Sequence, residues 1–550
     1  MTLRKIDYRN TTTKRRETLL PFLSVFLLVA VRYLYFGFRY FPQLDDYIQY
    51  HNYAQQGSAF YLIEKLGLLA ARPLAGLFDI TLWSWLWPCM ILSVLLLSAL
   101  YAASAVTFKN LFAKLFGTSG FFFVIYALMP LGIEGTYWVS ASSRIIPGLL
   151  FAALSASCFQ TFLDGGRKAA LIRALAFQFL TFCFYEQAAV LSCALNVLLA
   201  LLAVKKSDYR WVCSFLCIVT AGLYFGLCKI AGPSPLYDGR TNIMLPASAY
   251  YFDTFLPDLL SQMKSAFLGG GFYILVYGFI RGLLNIVSDG AWVYCVALLL
   301  FVLFFAFVQF GGENKKERGK LLAPLWFGIL LAIAPLAPFF IIENPWFSIR
   351  GTVTSYVGIA LVADLVMRLI FGGRRRVIGA LGSLLALVFC ICSVSEIADY
   401  KANYEADSRA VGAVAAIAED YPDGGKVAIL NLSDTYVVEQ NYKFHEHITG
   451  VTESSWALTG AVRCHNDNQA EWITYVPIPL DEPCAYAAWE YEEKTLYSMD
   501  GVYCYDADTG SVAPLRVEYA GDGQFLLYHA DGSLYGRIEE KDRIGYFFEE

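Results

Sequence analysis

Along most of this chain, apolar runs of about twenty residues alternate with short loops that carry lysine or arginine. A bilayer core offers the backbone no water, so runs of that length read as helices that satisfy their own N–H and C=O groups while crossing it. Clear runs begin near Leu19, Leu82, Ser119, Ile145, Trp211, Ala291, Leu321, Thr352 and Ile378. The stretch 169–204 is too long for one crossing. Tyr185, Glu186 and Gln187 interrupt it midway, which predicts a tight hairpin of two helices. The total is eleven crossings. One more apolar stretch, 266–287, is rich in glycine and contains Arg281.

Positive charge assigns the sides. Arg4, Lys5, Lys14, Arg15 and Arg16 place the N-terminus in the cytoplasm. With eleven crossings, Lys109, Lys114, Lys168, Lys205, Lys206, the lysine-rich loop ending at Lys320, and Arg374 to Arg376 all fall on that same side. A crossing at 266–287 would put the Lys315 loop outside. That stretch is therefore expected to be half-inserted or interfacial, led in by an amphipathic segment at 249–267. The apolar run after the basic N-terminus lacks a small-residue cleavage site and reads as a retained anchor, not a signal peptide.

The chain of 550 residues is 57% hydrophobic and only 16% charged, against about 25% for a soluble domain. Charge is also divided along it. From Glu396 onward there are 29 acidic and 10 basic residues, a balance of −19, so the rest carries +14 of the overall −5. An acidic tail argues against nucleic acid as its partner. The fold expected is an all-α polytopic membrane body over 1–395 and a small extracytoplasmic domain over 396–550, α/β or mostly β. In that tail a helix should precede a turn at Pro422 to Gly425 and a strand. Alternating strands then follow in "EWITYVPI", "GVYCYDAD" and "FLLYHADGSLYGRIE", with a turn at Asp531-Gly532.

The thirteen cysteines show no metal spacing, and ten of them lie in apolar segments as small buried side chains. His445, Glu446, His447 and His465 match no zinc ligand order and read as solvated loop.

Ionisable residues at the membrane boundary are costly and mark function by default. Here they collect on the outer side. The first outer loop carries Asp45, Asp46, Glu64, Lys65, Arg72 and Asp79. The second carries Glu134 and Arg144, the hairpin tip Glu186, the long loop Asp238 and Arg240, and the last loop Glu343 and Arg350. Asp79 and Glu343 read as solvated loop charges. Glu186 has almost no loop to lift it into water and needs a hydrogen-bonded partner or a cavity. Tyr137 and Trp138 fit an interfacial aromatic belt or a ligand platform equally well. Arg72 precedes Pro73, and so either caps a helix or holds an anion.

This set suits a reaction at the outer leaflet on a lipid-linked substrate. A carboxylate at Asp45 or Asp46 would take a proton from an acceptor hydroxyl, and arginines would hold the departing lipid phosphate. "QLDDY" in the first outer loop, "EGTYWVSASSR" in the second and "FYEQ" at the hairpin tip resemble polytopic GT-C glycosyltransferases, closest to the bacterial O-antigen and surface-polymer glucosyltransferase-like members. The resemblance implies a polyprenyl-phosphate-linked sugar donor and a glycan or glycolipid acceptor, used on the outer face of the plasma membrane. It implies Asp45 or Asp46 as the catalytic acid, and Arg72, Arg144, Arg240 and Arg350 as lipid-phosphate ligands. Glu134, Tyr137, Trp138, Glu186 and Gln187 would line the sugar pocket. Asp45 and Asp46 are also hard ligands that a divalent cation would accept. A polysaccharide polymerase or ligase, and a lipid-linked glycan flippase, are the rival readings. The missing internal repeat counts against the flippase.

Overall fold

The computed structural model describes residues 8–47, 50, 71–204, 210–231, 244–310, 322–343, 346–372, 374–417, 421–422, 424–432, 450–466, 473–480, 485–487, 496, 499–541 and 544–549. It divides into two compact units, Met1–Tyr40 with Ser58–Ile397, and Phe41–Gly57 with Ala398–Glu550. The chain is a multi-pass helical membrane protein. Among the described residues nine helices are long and apolar enough to cross a bilayer, and Leu19–Tyr33, Pro73–Trp83 and Phe121–Thr136 are shorter apolar helices.

The first unit is built from α1 (Tyr8–Tyr33), α2 (Pro73–Phe78), α3 (Met90–Phe116), α4 (Phe121–Leu128), α5 (Ile133–Thr136), α6 (Val139–Gly165), α7 (Lys168–Phe182), α8 (Glu186–Ala203) and α9 (Leu216–Ala231). There follow α10 (Leu256–Lys264), α11 (Gly271–Ser288), α12 (Trp292–Phe310), α13 (Leu322–Ile333), α14 (Tyr356–Ile370) and the part of α15 (Arg375–Ala415) up to Ile397, the remainder of α15 belonging to the second unit. The hairpin expected at 169–204 is present as α7 and α8, joined through Cys183 to Tyr185.

Polar contacts define two ends of this bundle. At one end Lys114 pairs with Asp164. The buried Asp364 accepts from Ser119 N at 3.0 Å, and Arg368 Nη1 donates to the Phe116 carbonyl at 3.0 Å. Gln309 Nε2 reaches Ser24 Oγ at 2.9 Å. This end carries Lys109, Lys114, Lys168 and Arg374 to Arg376, so we name it the basic end. At the opposite end Tyr33 meets Thr136, Leu74 N meets the Cys183 carbonyl, and Tyr35 Oη donates to Asp289 at 2.7 Å.

The segment Tyr251–Ser288 forms one 38-residue helical stretch, long and apolar enough to cross. Its contacts show a different course. Tyr251 Oη donates to the Phe340 carbonyl at 3.0 Å, Gln262 Oε1 accepts from Phe347 N at 2.9 Å, and Gly271 lies against Leu131. Asp289, just past its end, takes the bond from Tyr35. All four neighbours belong to the end opposite the basic one, so the segment lies along that end. It docks onto α15 through Gly282, where a Cβ would stand 2.0 Å from the Ile391 carbonyl oxygen. Only a missing side chain permits that approach, as is common where membrane helices pack.

In the second unit, β1 (Lys426–Leu430), β2 (Thr474–Ile478), β4 (Gly501–Asp506) and β5 (Ser511–Pro514) form a sheet in the order β2-β1-β4-β5. β1 runs parallel to β2 and β4, with α16 (Ser455–His465) as the crossover between β1 and β2. β3 (Ala485–Ala487), β6 (Arg516–Gly521), β7 (Gln524–Tyr528), β8 (Leu534–Lys541) and β9 (Ile544–Glu549) form an antiparallel sheet in the order β3-β9-β8-β7-β6. Ala428, Leu430, Val502, Phe525, Leu527 and Ile538 share one core between the sheets. The tail is thus α/β, with its Asp531-Gly532 turn closed by His529 N donating to the Ser533 carbonyl at 2.9 Å.

Phe41 to Tyr47, expected in an outer loop of the membrane body, group with the tail in the second unit. Gln43 Nε2 donates to the Tyr400 carbonyl at 3.0 Å, and Asn403 Nδ2 donates to Gln43 Oε1 at 2.6 Å.

Cysteines placed at Asp253 and Asp289, in a background with its native thiols blocked, should react with a membrane-impermeant maleimide from the same side. Labelling from opposite sides would show that 251–288 crosses.

Candidate functional site

The polar end of the first unit is assembled from breaks in helices. After α4 the backbone turns extended at Met129 (ψ 117°), the conformation imposed by the following Pro130. The short turn α5 and the extended Trp138 then intervene before α6 begins. That interruption puts Glu134, Tyr137 and Trp138 between two bundle helices. All three are 0% exposed. Tyr137 and Trp138 are therefore interior side chains and not a lipid-facing belt. Tyr137 packs against the rings of Tyr33 and Tyr40, each with centroids 5.3 Å away. Ser348 Oγ donates to Glu134 Oε1 at 3.4 Å.

Two arginines are committed to carboxylates. Arg144 Nη2 donates to Asp79 Oδ2 at 2.6 Å, with both side chains nearly sealed from solvent. The expectation of a solvated Asp79 is thereby corrected. Asp79 opens a π-turn that follows α2, and this winding carries it inward. Arg72 Nε donates to both oxygens of Glu186, at 2.8 and 3.0 Å. Arg72 has φ 36°, an uncommon left-handed geometry for a side-chain-bearing residue, just ahead of Pro73 at the start of α2. Glu186 thus has the partner its position required, and it lies in the first turn of α8, where the helix dipole favours an acid.

The remaining residues close the set. Gln187 Nε2 donates to the Gly351 carbonyl at 3.1 Å and to the Pro335 carbonyl at 3.3 Å. The Arg350 guanidinium lies 5.5 Å from the Trp138 ring centroid, in cation–π range. Glu343 is partly exposed, in keeping with a loop charge. The structure thus gathers Arg72, Glu134, Tyr137, Trp138, Arg144, Glu186, Gln187 and Arg350 at one end of one unit. Arg240, with Asp238, Glu64 and Lys65, lies outside the described residues.

Asp45 and Asp46 belong to the second unit. They differ sharply in environment. Asp46 is 0% exposed and folds its own loop, with Gln43 N donating to its Oδ2 at 3.2 Å and Asp46 N returning a bond to the Gln43 carbonyl at 2.9 Å. Asp45 is half-buried.

Sequence reasoning passed over Arg32, Tyr33, Thr136 and Ser348. Arg32 carried a usable signal, an ionisable side chain inside the apolar run "VAVRYLY". Among the described residues no cluster of three or more His, Cys, Asp or Glu is placed to hold a metal. His445, Glu446 and His447 lie outside them. The described cysteines are free thiols. No family model matches the chain, and no curated protein matches it significantly.

Burial ranks the two ion pairs. Asp79→Asn leaves a buried guanidinium without its counter-charge and should cost about 3–5 kcal/mol. Glu186→Gln breaks a partly exposed pair and should cost about 1 kcal/mol or less. Unfolding in detergent measures both, and equal losses would contradict this ranking.

Proposed function

We propose that the chain is a membrane glycosyltransferase that moves a sugar from a polyprenyl-phosphate donor to a glycan or glycolipid acceptor on the outer face of the plasma membrane. The observation that carries this reading is the gathering of carboxylates, guanidinium groups and buried aromatic faces at the bundle end opposite the basic one. Such groups are expensive near lipid and are placed there for a substrate. The basic end suits the cytoplasm. On that topology eleven segments cross, 251–288 lies in the outer interface, the N-terminus is cytoplasmic and the C-terminal domain is outside.

In this reading Asp45, a residue of the second unit, is the candidate general base, because Asp46 is occupied in shaping its loop, and the groups that would hold the donor belong to the first unit. Deprotonating the acceptor hydroxyl sharpens its attack on the anomeric carbon, and the bond to the phosphate oxygen breaks as the new glycosidic bond forms. Glu134 and Gln187 offer hydrogen bonds to sugar hydroxyls, and Trp138 offers an apolar face. Arg350 stabilises charge developing on the leaving phosphate. Arg72 and Arg144 fix Glu186 and Asp79.

The test is release of free polyprenyl phosphate by purified chain given a panel of polyprenyl-phosphate hexoses and a surface-glycan acceptor. Asp45→Asn should abolish release with the fold intact, whereas Asp46→Asn should lower the melting temperature and retain part of the turnover. Wild-type turnover by Asp45→Asn would remove Asp45 as the base. No release from any donor by wild type would remove the transferase reading.

A further inference from the structure

Next to the last residue of the first bundle helix stands Arg32, an arginine that pairs with no carboxylate among the described residues. Arg32 is 1% exposed. Its Nη2 donates to the Tyr33 hydroxyl and, at 3.4 Å, to Thr136 Oγ1. Tyr33 Oη in turn donates to Thr136 Oγ1 at 2.7 Å, and Thr136 donates to the Gly132 carbonyl at 2.9 Å. This relay anchors one corner of the guanidinium to the broken segment between α4 and α6. The other two nitrogens, Nε and Nη1, are buried without an acceptor. Among the described residues no Asp or Glu pairs with Arg32. The groups in electrostatic range are the hydroxyls of Tyr101, Tyr294 and Tyr356 and the thiol of Cys390. The Tyr294 hydroxyl is likewise buried without a partner.

Arg72 and Arg144 at the same end each hold a carboxylate, so Arg32 stands apart. A guanidinium stays charged at any ordinary pH. Burying one without a counter-ion is a large cost that leucine or methionine would avoid. The cost makes sense where the counter-ion arrives with the substrate.

We propose that Arg32 binds the phosphate of the lipid-linked substrate, with a phosphate oxygen completing the hydrogen bonds of Nε or Nη1 and the Tyr294 hydroxyl donating to another. The proposal rests on the polyprenyl-phosphate reading above and adds an arginine to the four suggested by sequence.

The test uses full-length chain in lipid nanodiscs and follows the melting temperature with a polyprenyl phosphate, the matching polyprenol, or inorganic phosphate. Wild type should be stabilised by the polyprenyl phosphate and not by the polyprenol. Arg32→Met should melt at or above wild type without ligand, since it removes a buried unpaired charge, and should lose the ligand shift. Arg32→Lys should keep the charge and weaken binding at least about tenfold. Stabilisation of wild type by inorganic phosphate alone, lost in Arg32→Met, would keep the anion site and remove the lipid as its source. An undiminished polyprenyl-phosphate shift in Arg32→Met would overturn the proposal, as would no shift in wild type that still releases polyprenyl phosphate from a donor. Should Arg32→Met fail to fold, full binding by Arg32→Lys would overturn it, because the planar fork would then be irrelevant.

Discussion

Asp79 and Arg144 meet at 2.6 Å with both side chains sealed from solvent, and the polar end of the membrane unit is built outward from that contact. Neither charge would tolerate burial alone, so the π-turn at Asp79 and the start of α6 are held to one another. Glu186 stands within the field of Arg144 and is gripped by Arg72. Gln187, the next residue, ties α8 to the Gly351 carbonyl. Helices far apart in sequence are thereby fixed to one another at this end by charge and hydrogen bonds.

That division of labour explains the helix breaks. A continuous helix through Pro130 would have carried Glu134 and Trp138 down the bundle wall. The break instead turns them inward, where Glu134 faces Ser348 and Trp138 lies under Arg350. The segment 251–288 lies along the same end and closes on α15 through Gly282. In the proposed reading this end of the first unit holds the lipid-borne phosphate and its sugar, with Arg72 and Arg144 acting as scaffold.

Much of the architecture could be read in the sequence because its signals are local. Apolar length marks the helices, Tyr185 to Gln187 mark the hairpin tip, and the Asp531-Gly532 and Pro422 to Gly425 turns mark the tail. The need of Glu186 for a partner was also legible, since a carboxylate between two apolar runs has almost no loop to lift it into water. The partner's identity was not. Choosing Arg72 for Glu186 and Asp79 for Arg144 depends on contacts more than sixty residues apart, which no local pattern encodes. For the same reason the packing of Gln43 with Tyr400 and Asn403 escaped notice, and with it the different environments of Asp45 and Asp46. Arg32 carried a local signal, a charge inside the apolar run "VAVRYLY", but its partners Tyr33 and Thr136 did not, since Thr136 lies about a hundred residues away.

The most direct test of the account is photo-crosslinking. Full-length chain in nanodiscs would be exposed to a photoreactive polyprenyl-phosphate sugar, and the labelled peptides mapped by mass spectrometry. The account predicts labelling within 130–144 and 346–355, competed by unlabelled polyprenyl phosphate and not by polyprenol. Labelling confined to the basic end, within 109–121 and 364–376, would contradict it.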